Sequence, residues 1–176
     1  KSEGISGGRG VRFSRKFKTP HGNADKAAFS LAFAADKRAP DSGFFACEVV
    51  QAPNVDRSAL MNHANGAVRL LDVVISEPNP SDFQYFLQTF LNQRELDSHS
   101  FGLEFETGNG KVSVLTSAGT RAFCGFEAIT MERGLKFEAF VLGSTDLQKT
   151  AKFLNERGVA FSDIGHRLVI PPAPGQ

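Results

Sequence analysis

The sequence predicts an α+β chain in which a strand–helix–strands unit occurs twice. Two observations carry this. Between residues 70 and 170 the apolar periodicity changes from two to about 3.6 and back, and then does so again. The second passage also echoes the first in its residues. Leu71-Asp72-Val73-Val74-Ile75 is answered by Phe137-Glu138-Ala139-Phe140-Val141, 66 residues later. Phe90-Leu91-Asn92-Gln93 is answered by Phe153-Leu154-Asn155-Glu156, 63 residues later, with a longer loop at Glu77-Pro78-Asn79-Pro80 absorbing the slip. A period of about 65 residues is too long for a solenoid repeat. It suits a duplicated module whose sheet needs a partner to cover its apolar face.

Three strands come first, at 11–19, 27–34 and 43–51, divided by His21-Gly22-Asn23 and by the turn-forming stretch from Arg38 to Gly43. A polar connection with His63-Ala64-Asn65-Gly66 follows, long enough to suggest a task of its own. Residues 70–76 read as a buried strand. Ser81, with Gln84 three positions on, signals a capping box for a helix over 81–92, whose inner face is Phe83, Phe86, Leu87, Phe90 and Leu91. Alternation over 101–107 and 111–116 around Gly108-Asn109-Gly110 signals a hairpin. A further strand is expected over 120–126. The pattern restarts with a strand at 135–142. A helix over 146–157 follows, capped by Ser144 or Thr145 and stopped by Gly158. A hairpin of 159–163 with 167–170 closes the chain, ended by Pro171-Pro172.

Composition narrows the function classes. Of 176 residues, 41% are hydrophobic and 22% charged, as in ordinary globular proteins. Seventeen phenylalanines against one tyrosine and no tryptophan mark the aromatics as core filling. The net charge is +1, and the densest basic stretch, Arg12 to Lys18, alternates as a half-exposed strand does. Nucleic-acid binding, which needs clustered cations, is therefore not expected. No apolar run is long enough to span a bilayer, so no membrane partner is expected. No secretory signal is visible, and a cytoplasmic setting is expected, although a chain running from Lys1 to Gln176 reads as cut at both ends. Cys47 and Cys124 lack metal-like spacing and are expected to be reduced, unbridged core thiols in strands. A phosphate-binding Gly-rich loop, a Gly-x-Ser-x-Gly elbow and a two-His helix motif are all absent.

Several stretches, taken in order, carry a resemblance. They are the strand Gly43-Phe44-Phe45-Ala46-Cys47-Glu48, the turn His63-Ala64-Asn65-Gly66-Ala67 before a new unit, the repeated strand–helix–strands order, and the ending Arg167-Leu168-Val169-Ile170-Pro171-Pro172. From Gly10 onward the chain resembles bacterial glyoxalase-like proteins of the vicinal-oxygen-chelate superfamily. The resemblance implies βαβββ modules that pair into curved mixed sheets enclosing a cleft. Residues 1–53 would then be the terminal strands of an earlier module, and 54–67 a connecting segment. Residues 68–133 would form one βαβββ module and 134–176 a second, whose last strand lies beyond Gln176.

The resemblance also implies a function and a set of site residues. An enzyme of this type (a lyase, isomerase or dioxygenase) would act on a small oxygen-rich metabolite, with a divalent metal polarising vicinal oxygens. The alternative on the same scaffold is a metal-free protein that binds or sequesters a small molecule. A third reading is a structural tandem without activity of its own. A homodimer is compatible with all three. First-strand ligand positions fall at Asp72 and near Glu138 or Ala139, and last-strand positions at Glu48 and near Glu127. Because these strands offer carboxylates without histidine, Mg²⁺, Mn²⁺ or Ca²⁺ suits them better than Zn²⁺. Asp72, Glu48 and Glu138 are thus the metal candidates, and Glu48 and His63 the catalytic ones. Read from the residues alone, Asp72 is a lone carboxylate in an apolar strand and must be paired, coordinated or wet. Arg69 is a candidate partner. Glu48 and Glu138 could equally be solvated strand residues. His63 could belong only to a turn built on Asn65 and Gly66. His21, His99 and His166 read as turn or loop residues, and Arg12 as strand surface.

Overall fold

The computed structural model describes residues 4–19, 22–56, 58–128 and 132–172. It is an α+β fold with mixed sheets. Strands β1 (Val11–Lys18), β2 (Ala24–Ala34) and β3 (Phe44–Gln51) form an antiparallel meander. His21, expected in its first turn, lies outside the described residues.

The long connection contains a short 3₁₀ turn, Ser58–Met61. It ends where Gly66 N–H donates to the His63 carbonyl at 2.9 Å and Asn65 Oδ1 accepts from Ala67 N–H at 3.1 Å. Gly66 takes φ 76°, the left-handed region that glycine enters without a Cβ clash.

Strand β4 (Ala67–Ser76) then enters a five-stranded sheet of order β5-β6-β7-β4-β8. The helix after β4 starts differently from the capping-box expectation. Pro80 opens a 3₁₀ turn, Pro80–Phe83, which runs into helix α1, Gln84–Leu91. Proline needs no N–H partner at a first helical position, and it holds Asn79 in a non-helical conformation, so the turn begins ahead of Ser81. Asn79 Nδ2 donates to Asp82 Oδ1 at 2.9 Å and braces that start. Strands β5 (Asp97–His99), β6 (Gly102–Thr107) and β7 (Gly110–Leu115) complete one strand–helix–three-strand run, with β7 parallel to β4.

The strand expected over 120–126 is instead the end of helix α2, Ser117–Cys124. Thr116 caps it by accepting from Gly119 N–H at 3.1 Å, and Gly125 stops it at φ 78°. Gly119 lets the helix approach the chain closely, since a Cβ there would lie 2.6 Å from the Phe101 carbonyl oxygen. Strand β8 (Lys136–Ser144) lies antiparallel beside β4, with Val73 opposite Phe140 and Val74 opposite Ala139. Helix α3, Leu147–Glu156, is capped by Asp146, one residue past the expected Ser144 or Thr145. Asp146 Oδ1 accepts from Gln148 N–H at 3.0 Å and Lys149 N–H at 3.1 Å, whereas Ser144 is held in β8 by a 2.7 Å bond with Thr150. Strands β9 (Ser162–Asp163) and β10 (Leu168–Val169) form a short hairpin. No described helix is long and apolar enough to cross a membrane.

The core lies on both faces of the five-stranded sheet. Alternation sends Ile75 and Val114 to one face, where Phe83, Phe86, Leu87, Leu103, Phe105 and Leu135 cover them. Phe44 attaches the meander here, edge-on to Phe86 at 5.1 Å and to Phe90 at 5.3 Å. The opposite face carries Val74 and Leu115 against Cys124 of α2, with Phe123, Phe126, Ala139 and Val141 around them. Asp72 and Ser76 share that face with Val74.

Candidate active site

Asp72 stands on the α2-facing side, at the first pair of the β4–β7 ladder, and is 3% exposed. The parallel pairing of β4 with β7 brings it opposite Lys111, two residues before Ser113. Ser113 Oγ donates to Asp72 Oδ2 at 2.8 Å, and Lys111 Nζ lies 3.7 Å from the same oxygen. The other oxygen, Oδ1, is buried and has no hydrogen-bond partner among the described residues. Among the described residues it shares that condition with Thr120 Oγ1 of α2. Burial pushes the Asp72 pKa up. The Ser113 hydrogen bond and the Lys111 charge oppose that rise, and Glu104 adds to it.

Lys111 is bracketed by two acids, since its Nζ donates to Glu104 Oε2 at 2.8 Å. Burial pulls its pKa down, but the Glu104 hydrogen bond and the neighbouring carboxylates outweigh that, so the net shift is upward. His99 extends the line of polar groups outward. Its Nδ1 accepts from Phe101 N–H at 3.2 Å, which leaves Nε2 facing Glu104 Oε1 at 3.6 Å. The result is a line from an exposed imidazole to a buried carboxylate: His99, Glu104, Lys111, Asp72, Ser113.

Phe123 covers this line. Its ring lies 5.8 Å from Lys111 Nζ and 4.3 Å from the Arg167 guanidinium carbon. Arg167 Nη1 also donates to the Phe123 carbonyl at 2.8 Å. Cys124 beside it is a buried free thiol whose pKa burial raises, with Arg167 opposing and Glu138 and Asp72 adding. It belongs to α2 rather than to a strand, and Cys47, expected in the core, is an exposed free thiol on β3.

The other expected residues are dispersed. Glu48 is exposed on β3, opposite Ser30, in the separate meander sheet. His63 is exposed in the turn before β4. Glu127 is exposed beyond α2 and pairs with Arg121. Glu138 sits at a bulge of β8, which turns its carboxylate toward β4, where Ser76 Oγ donates to Oε1 at 2.5 Å. Asp72 and Glu138 therefore share a face of one sheet, and Cys124 senses both. The cation beside Asp72 is Lys111, not Arg69.

The two partners of Asp72, Lys111 and Ser113, and the Glu104 beyond them, escaped the sequence reading. Lys111 and Ser113 alternate with Val112 and Val114, and Glu104 lies diagonally across the hairpin from Lys111, so a charge ladder was written into that alternation. Glu77, read only as part of a strand-breaking loop, is a buried carboxylate. It accepts from Asn79 N–H at 3.0 Å and Gly134 N–H at 2.7 Å, with Arg133 Nε at 2.8 Å, and so ties that loop to the one before β8.

Among the described residues, no group of three or more His, Cys, Asp or Glu side chains could hold a metal ion. The donor set at Asp72 does not fit a divalent cation. An ion on this carboxylate would meet the like charge of the Lys111 ammonium, 3.7 Å from Oδ2. An open groove of about 650 Å³ along α3, lined by residues such as Leu147, Ala151, Lys152 and Asp163, shares no residue with the Asp72 line.

No protein-family profile, no curated protein and no solved structure matches the chain.

Proposed function

We propose that the α2-facing side of the five-stranded sheet is a metal-independent site for a small oxygen-rich molecule, on a scaffold of the glyoxalase-like kind. The observation that carries this is the Asp72 carboxylate, 3% exposed and with one oxygen unpartnered. A buried carboxylate oxygen can only accept, and leaving it unmatched costs free energy. A ligand hydroxyl supplies the missing donor. Lys111 lies beside it and Glu104 beyond, each about a fifth exposed at the side chain.

The scaffold reading draws support from topology. The run β4-α1-β5-β6-β7 has a βαβββ order with its first and last strands parallel, and β8-α3 begins the same order again. Because β4 and β8 are antiparallel neighbours, a local twofold between Val73/Val74 and Ala139/Phe140 relates their repeated sequences. Pairing of such modules around a cleft belongs to this proposal.

Sequestering or binding a molecule needs nothing further. If the bound molecule also reacts, Asp72 is the base: its raised pKa and its position favour taking a proton from a donor at Oδ1. The test is thermal unfolding of chelator-treated protein with catechol, dihydroxyacetone and glycerate, chosen for adjacent oxygens. A compound that stabilises the native chain but not Asp72→Asn supports the proposal. Equal stabilisation of both proteins, or of neither, counts against it.

A further inference from the structure

We infer that α2 is a lid over the Asp72 ligand site, with Phe123 as its latch and Thr120 as a second ligand contact. The inference rests on the Asp72 face being the ligand site. The two unpartnered buried side-chain polar atoms among the described residues, Asp72 Oδ1 and Thr120 Oγ1, belong to the two sides of one interface, the sheet and the helix lying on it. Thr120 is 0% exposed, and Cys124, one helical turn further on, packs against Val74, the neighbour of Asp72 on the same face. A ligand hydroxyl that donates to Asp72 and a second oxygen that meets Thr120 would satisfy both atoms. That defines the class as a small molecule with two oxygens, at least one of them a hydroxyl.

With Asp72 covered, entry requires α2 to move. The helix is suited to that. It is two turns long, ends at Gly125, and packs Cys124 and the partly buried Phe123 into a cluster of three buried apolar residues, whereas α1 packs into a cluster of ten. What holds its far end is specific: Lys111 and Arg167 on Phe123, and Arg167 on the Phe123 carbonyl. Such contacts resist opening yet are remade on closure, as a latch requires.

Cys124 reports the opening, because its thiol is buried beneath α2. In the full chain carrying Cys47→Ser, labelling of Cys124 by Ellman's reagent should be nearly independent of urea at low concentrations, which is the mark of local opening. Arg167→Ala and, separately, Phe123→Leu should each speed it by about tenfold, the scale of one lost cation–π contact. Loss of Arg167 also withdraws a cation that favours the thiolate, which alone would slow the reaction. Acceleration in that variant therefore reads opening. A labelling rate that follows global unfolding at every urea concentration, or one that neither variant changes, would overturn the lid. Ligand stabilisation through Asp72 is read separately and would survive that result.

Discussion

Ser113 Oγ donates to Asp72 Oδ2 at 2.8 Å across the parallel pair β7 and β4, while Asp72 Oδ1 has no partner among the described residues. One hydrogen bond and one cation at 3.7 Å incompletely compensate the burial of that carboxylate, which is why its pKa rises. The protein thus bears an energetic cost at one position, the kind of local conflict that marks functional sites.

The cost has a pH signature. With the folded pKa above the unfolded value near 3.8, the native state holds the Asp72 proton more tightly than the unfolded chain does. Stability from this group is therefore greatest in acid and falls as pH rises through the window above 3.8. Asp72→Asn, neutral throughout, escapes the loss. Its melting temperature should gain on the native protein between pH 4 and pH 8, where about 1 kcal/mol corresponds to roughly 2–4 °C for a chain of this size. A difference that stays flat with pH would contradict the buried-carboxylate account.

Lys111 balances two acids, so its removal should cost more than an exposed ion pair would. Lys111→Met is expected to lower stability by about 1–3 kcal/mol, reduced from fully buried values because the side chain keeps some solvent contact. Adding Asp72→Asn to that variant should recover part of the loss. Urea unfolding of the four proteins in the cycle measures the coupling, and additivity would show that Lys111 and Asp72 do not interact.

Much of this was legible in the sequence, and the limits have physical reasons. The apolar faces of α1 and α3 and the hairpin at Gly108-Asn109 depend on local periodicity and turn chemistry, which sequence displays directly. Asp72 stood out because a carboxylate between Leu71 and Val73 demands a partner. Its partners did not, because the pairing of β4 with β7 is long-range and fixes which polar residues meet it. The short apolar run Ala122, Phe123 and Cys124 imitates a strand, but the Thr116 cap and the Gly125 stop make α2. The resemblance implies a site role for Glu48, yet its strand belongs to another sheet.

Phe44 should be the energetic joint between that sheet and the rest. It is 7% exposed and packs on Phe86 and Phe90, so Phe44→Ala should cost about 3–5 kcal/mol. Calorimetric unfolding checks the loss. A cost under about 1 kcal/mol would show that the meander is held elsewhere.

Divalent ions provide a further check. Because Lys111 already faces Asp72, millimolar Mg²⁺, Mn²⁺, Ca²⁺ or Zn²⁺ should leave the melting temperature of the chelated protein within about 1 °C, since binding the folded state would raise it by mass action. Stabilisation by one of these ions that Asp72→Asn abolishes would restore a metal to the site.

The central claim, that Asp72 is a buried carboxylate kept open for a hydroxyl donor, can be read at the atom itself. The measurement is a ¹³C NMR titration of the Asp72 carboxyl carbon in metal-free protein, alone and with catechol, dihydroxyacetone or glycerate. The account predicts a midpoint above 3.8 for the free protein. A compound whose hydroxyl binds Oδ1 should lower that midpoint, because a hydrogen bond to the ionised form favours it. A midpoint at or below 3.8 that none of the three compounds moves would contradict the account.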